Sequence, residues 1–209
     1  MSVLTQLRQL TPKKRVLTLA EARSIAERQA NRLRALTGHD TEPMLPTEAI
    51  TNLPRLRIFL ATTMSHSGMS GWDDDSKVWQ IVINGQDAPT RQRFTLAHEY
   101  KHVIDATSHE TTYRDIGGYS AHEQAEDVCD YFAGCLLVPK TLLKNLWADG
   151  TQDTTTLARI FGVSPAAMRV RLRQTGLIET RRHKWFFRDR PDQAEIIDVG
   201  SDMRALEVV

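Results

Sequence analysis

Residues 91–102 read RQRFTLAHEYKH, and the end of that run, His98-Glu99-Tyr100-Lys101-His102, decides how the rest of the chain is to be understood. On an α-helix, residues four apart project from one face, one turn above the other. Two imidazoles at that spacing can meet one cation, and a glutamate beside the first of them is placed to act on a water held there. Neutral histidine nitrogens are ordinary zinc ligands, and a catalytic zinc keeps one tetrahedral position for water. The residues therefore read as His98 and His102 for the metal and Glu99 as general base. The pentapeptide alone is a weak signal, because surface histidines on amphipathic helices produce the same string, so its surroundings carry the argument.

Upstream, Pro89 suits the first turn of a helix over 89–105, where its missing N–H is not needed and Phe94, Ala97 and Ile104 turn inward. Before it, residues 68–72 and 78–83 flank the polar tip Asp73-Asp74-Asp75-Ser76, a hairpin signature. Leu56-Arg57-Ile58-Phe59-Leu60 reads as a further strand, after a stretch punctuated by Pro43, Pro46 and Pro54. A helix over 18–36 opens with Thr18 and Glu21 in capping-box spacing and ends at Gly38. A substrate held as an extended strand needs a sheet edge, so strand 78–84 or its hairpin partner is expected to line the cleft.

Downstream, a polar loop with Gly117 and Gly118 leads to a second helix over 121–138, stopping near Pro139, with one short helix after it. Val128, Phe132, Ala133 and Leu136 bury that helix, so carboxylates on it need partners. Glu126 and Asp130 are four apart and face one way. Glu126 is the favoured third ligand, and Asp130 the residue that orients a ligand histidine. Glu123 and Asp127 are competing acids with less suitable angular offsets, and His109 and His122 are alternative ligands. For the donor that stabilises a tetrahedral oxyanion, Tyr113, Tyr119, His109 and His122 remain open.

From Asp153 to Leu177 the pattern is helix, tight turn, helix, with Gly162-Val163 at the turn, Ser164 as cap and Pro165 in the first turn. Arg159, Arg169, Arg171, Arg173, Arg181, Arg182, Lys184, Arg188 and Arg190 face only Asp153, Glu179 and Asp189 here. That local basic region supports a rival function, a DNA-binding regulator. Charge alone supplies affinity without base readout, so a helical cap, or a surface that recognises a repressor, is preferred over direct DNA binding. Residues after Pro191 are expected to be poorly ordered, with a last short strand at Ile196-Ile197.

The composition limits the alternatives. With 209 residues, 41% hydrophobic and 25% charged, the chain has the make-up of a soluble protein of one or two domains. A net charge of +1 gives the whole molecule no strong attraction to nucleic acid or anionic lipid. No apolar stretch is long enough to cross a bilayer, and Arg8, Lys13, Lys14 and Arg15 interrupt any signal-peptide core, so a cytoplasmic protein without membrane contact is expected. Cys129 and Cys135 lie six apart on one helix, face different ways, and read as buried thiols rather than a disulfide.

The run 91–102, followed by Glu126-Asp127-Val128-Cys129-Asp130-Tyr131-Phe132-Ala133-Gly134-Cys135-Leu136-Leu137-Val138-Pro139, resembles the ImmA/IrrE family of bacterial metallopeptidases. Ser70-Gly71-Trp72, Ile81-Val82-Ile83-Asn84 and Leu157-Ala158-Arg159-Ile160-Phe161-Gly162-Val163-Ser164 also resemble that family's pattern. The resemblance implies a minimal zincin fold with a small antiparallel sheet, one zinc held by two histidines and a glutamate, and cleavage of a bacterial helix-turn-helix repressor that derepresses stress or mobile-element genes. Two positions depart from it: Lys101 stands where glycine is common, placing a long cation near the site, and Asp130 where asparagine is common. The sensory domain that some larger relatives carry is not expected here.

The expected architecture is α+β, with a metallopeptidase part over 1–150, a helix-turn-helix-like segment over 151–180, and a basic, aromatic stretch and tail over 181–209. The expected activity is zinc endopeptidase. The alternatives are a DNA-binding regulator and a noncatalytic repressor-binding scaffold.

Overall fold

In the computed structural model, which describes residues 1–12, 15–114 and 120–179, the capping box expected at Thr18 is formed. Its hydroxyl accepts from the Glu21 N–H, and the Glu21 carboxylate accepts from the Thr18 N–H. This starts helix α2 (Leu19–Leu36), which follows a short α1 (Val3–Arg8). A single-turn α3 (Glu48–Thr51) precedes strand β1 (Leu56–Ala61), and the hairpin follows as β2 (Gly68–Asp73) and β3 (Val78–Asn84). Then come α4 (Pro89–Asp105), α5 (His109–Thr112), α6 (Ala121–Leu137), α7 (Lys140–Ala148), α8 (Thr154–Phe161) and α9 (Pro165–Gln174). The fold is α+β. The segments α1, α3 and α5 are too short for a hydrophobic period to announce them.

The sheet runs in the order β1-β3-β2. Antiparallel pairing is confined to the hairpin, with Ser70 opposite Ile81, whereas β1 joins β3 in parallel, Ile58 opposite Ile81. Parallel pairing needs a connection that carries the chain back along the sheet, and residues 62–67 together with β2 supply it. β3 is thus central, with neighbours on both sides, so among the described residues the strand with an open edge beside α4 is its hairpin partner β2.

The core lies where α6 packs against both α2 and α4. Val128, Phe132, Ala133 and Leu136 on α6 are wholly buried against Ala26, Ala30 and Leu33 of α2 and Ala97 and Ile104 of α4. A bidentate pair, Arg23 to Asp127 at 2.9 and 2.7 Å, fastens α2 to α6 at the rim. Gly162, with φ +66°, terminates α8 in the left-handed conformation, and Ser164 caps α9, so the helix-turn-helix-like pair forms as its residues require. Arg93 of α4 donates to the Gly162 carbonyl at 3.1 Å, tying that turn to the helix that carries His98 and His102. Residues Met1–Ile178 make one compact unit that includes this helix pair. The glycine-rich loop with Tyr119, the basic run from Arg181 and the strand expected at Ile196-Ile197 lie outside the described residues.

Candidate metal centre

The i,i+4 spacing on α4 sets Nε2 of His98 and Nε2 of His102 3.1 Å apart. Glu126, one helix over, places Oε2 3.3 Å from the first and Oε1 3.2 Å from the second. Ligand bonds of about 2.0–2.1 Å put tetrahedral ligand atoms about 3.3 Å apart, so this donor set fits a divalent cation. The carboxylate stays partly exposed while both rings are largely covered, which leaves a direction open to solvent.

Glu99 is 8% exposed and faces β2, accepting from the Ser70 hydroxyl at 2.8 Å. Gly68 makes that position possible: a Cβ there would lie 2.4 Å from Thr95 Cγ2 and 3.2 Å from Glu99 Oε1.

The far nitrogens of the two rings are also engaged. Asp130 Oδ1 lies 2.8 Å from His98 Nδ1. Cys129 Sγ lies 3.6 Å from His102 Nδ1. Cys129, His98 and His102 also bring donor atoms within 4.8 Å of one another. However, the Cys129 sulfur meets the nitrogen turned away from Glu126, and burial pushes its thiol well above the ordinary range, so it remains protonated beside His102. The role of Cys129 against His102 escaped the sequence reading, although its spacing three residues after Glu126 puts it on the same helix face.

The electrostatics follow from the packing. Burial alone would lower the basicity of His98, but the Asp130 hydrogen bond, with the charges of Asp130, Glu126 and Glu99, outweighs it and the pKa is raised. His102 is lowered, by burial first and then by repulsion from His98. A positive charge on His98 therefore disfavours a second one on His102.

The competing acids are committed elsewhere. Glu123 accepts from the N–H and hydroxyl of Ser120 as part of the α6 capping box, and Asp127 pairs with Arg23. Of the candidates for the oxyanion, Tyr113 is buried and donates to Asp105 at 2.6 Å, and His109 packs edge-on against Tyr113. Exposed His122, one turn before Glu126, brings Nδ1 to 3.9 Å from Glu126 Oε1.

Lys101 corrects an expectation. Rather than reaching toward the cleft it is 2% exposed, with Nζ 2.5 and 2.6 Å from the two oxygens of Asp105. A buried ammonium requires a partner, and Asp105 stands four residues on, where a helix brings it alongside. Arg171 is likewise withdrawn from the basic surface: it is buried and donates to the Val138 carbonyl at 2.9 Å.

The family model of Peptidase_M78, the IrrE N-terminal-like domain, matches residues 55–173, more than half of the chain. The chain belongs to this family. The chain is 36% identical over 69 residues to the radiation response metalloprotease IrrE of Deinococcus deserti, a match covering 32% of this chain and 25% of that protein. Among solved structures it is similar to a Mycobacterium tuberculosis transcriptional regulator, with a TM-score of 0.51 and 17% identity over 71% of this chain and 46% of that one. That likeness concerns the fold. The chain spans about a quarter of the curated relative and under half of the solved one. Among the described residues, no helix is long and apolar enough to cross a membrane.

Proposed function

We propose that this member of Peptidase_M78 is a zinc-dependent endopeptidase, with His98, His102 and Glu126 holding the metal, Glu99 as general base and Asp130 orienting His98. The observation that carries the reading is the convergence of both Nε2 atoms and the Glu126 carboxylate within 3.1–3.3 Å, beside a largely buried second glutamate. When bound there, zinc supplies a Lewis acid and brings the pKa of water toward about 7.

The chain's own groups do the rest. Glu99, held by Ser70, takes one proton as a water oxygen attacks the scissile carbonyl carbon, then returns it to the departing amide nitrogen as the C–N bond breaks. The open edge of β2 aligns the substrate main chain as an added strand. Asp130 keeps the Nδ1 proton of His98, so that Nε2 presents its lone pair.

The substrate proposed is a bacterial helix-turn-helix repressor, whose cleavage releases stress or mobile-element genes, in the cytoplasm. In this reading residues 1–150 carry the hydrolytic part, 151–180 the helix-turn-helix-like part and 181–209 a basic tail. To test it, a cell extract is incubated with wild type, with Glu99→Gln and with chelated protein, and new N-termini are identified by mass spectrometry. New termini mapping to such a repressor, and made by wild type alone, are expected. The same termini in all three samples would remove the enzyme reading and leave a noncatalytic repressor-binding scaffold.

A second reading, direct DNA binding, is favoured by one observation: Arg169 and Arg173 are exposed on α9 behind a well-formed helix-turn-helix-like turn. It predicts a duplex-DNA mobility shift that weakens steeply with salt.

A further inference from the structure

We infer that the groove between α4, α6 and α9 is the pocket that selects the peptide substrate, that it takes a large apolar side chain, and that α9 is its outer wall. The inference rests on the peptidase reading above and adds the class of residue that the site accepts.

The groove continues the metal centre. On α4, Arg91, Phe94, His98 and His102 follow one another at intervals of three and four and form one stripe. On α6 the corresponding stripe is Glu126, Asp130, Gly134 and Leu137. Beyond the histidines these two stripes bound a cavity of about 420 Å³, closed on the far side by α9. Asp130 belongs to both places, bonding His98 Nδ1 at 2.8 Å while lining the cavity. The pocket thus begins one side chain from a proposed ligand.

Its charged lining groups already have partners. Arg91 donates to the Ser67 hydroxyl at 3.2 Å, Asp127 holds Arg23, and Arg171 reaches the Val138 carbonyl, Gln174 and Glu27. Beside the polar groups of Thr90, Ser164 and Gln174, most of what faces the space is carbon, from Phe94, Tyr131, Leu137, Ala167 and Val170. A charged side chain entering would shed water against mainly apolar walls, whereas an aliphatic or aromatic one would bury apolar surface on both sides. Gly134 keeps the floor low: a Cβ there would make ordinary contacts, 3.9 Å to Gln174 Oε1 and 4.0 Å to Arg171 Cδ, and a longer side chain would extend into the space.

This also reassigns α9. Its Ala166, Ala167 and Val170 line the pocket, so DNA seated against that face would cover it. A helix that the sequence offers as a reader of DNA serves here as a reader of a peptide.

Zinc-loaded full-length protein is given a proteome-derived peptide library, and cleavage sites are read for wild type, Gly134→Leu and Val170→Arg. Wild type is expected to prefer leucine, methionine or phenylalanine at one fixed position beside the cut. Gly134→Leu should shift that position to small residues and lower kcat/KM for large-residue peptides by about tenfold or more, through KM, with zinc content unchanged. Val170 is half exposed, so its replacement leaves the fold intact should Gly134→Leu misfold, and it should admit acidic residues at the same position. Unchanged preferences in a folded, cleaving Val170→Arg overturn the inference, and inhibition of the same cleavage by added duplex DNA would then assign the α9 face to nucleic acid. If zinc-loaded wild type cuts no library peptide, the peptidase reading fails and takes the pocket with it.

Discussion

Asp130 and His98 sit on different helices, and the 2.8 Å contact between Oδ1 and Nδ1 turns the other ring nitrogen toward His102 and Glu126. That contact is also the largest influence raising the His98 pKa against the effect of burial. In the proposed zinc site a proton therefore competes with metal for this ring. As pH falls through the raised pKa the ring becomes imidazolium, and metal affinity should drop about tenfold per pH unit for each proton displaced. Asp130→Ala should move that drop to lower pH and weaken zinc binding at neutral pH by about 10–100-fold. Competition with a chromogenic chelator across pH measures both effects. A titration curve identical to wild type would remove Asp130 from the metal's support.

Separating ligand from base is the second expectation. His98→Ala, His102→Ala and Glu126→Ala should each lose stoichiometric zinc. Glu99→Gln should retain it, because its side chain faces Ser70 rather than the convergence point, and still lose about 10²–10⁴-fold in cleavage rate. Metal content and single-turnover cleavage on the same preparations distinguish the two roles.

Gly68 makes a steric prediction. Gly68→Ala would set Cβ 2.4 Å from Thr95 Cγ2 and 3.2 Å from Glu99, forcing a shift that costs about 1–3 kcal/mol and displaces the general base. Thr95→Ser removes the Cγ2 methyl. The double variant should recover most of the stability in urea denaturation and part of the activity, and a double variant no better than Gly68→Ala would show that the clash lies elsewhere.

The buried Lys101-Asp105 pair predicts a stability effect without direct contact with substrate. Removing one partner, as in Lys101→Met or Asp105→Asn, leaves a buried group uncompensated and should cost about 3–5 kcal/mol. Tyr113 also leans on Asp105. Replacing all three by Met, Leu and Phe should restore most of the loss, as read by guanidinium denaturation in the presence of chelator.

Much of this could be read from the chain because it is set within a few residues. The common face of His98 and His102, the capping box at Thr18, the hairpin around Asp73 and the turn at Gly162 depend on helix period, side-chain caps and backbone preferences that act over one to two turns. The same locality made it legible that Glu126 and Asp130 share a face. It could not say what they face.

What the sequence by itself determined is the longer elements, all but α1, α3 and α5, and the side of each helix on which the chemistry lies. The tertiary structure decided which sides meet: Asp130 with His98, Cys129 with His102, Ser70 with Glu99, β1 laid parallel on β3, and α9 closed over the crevice between α4 and α6. It also turned Lys101 and Arg171 inward, where the sequence offered only exposed cations. Such pairings join residues up to more than a hundred positions apart, as Arg171 does with Glu27. They are selected by the burial of apolar faces and the need to give each buried polar group a partner, conditions that exist only once the helices have packed.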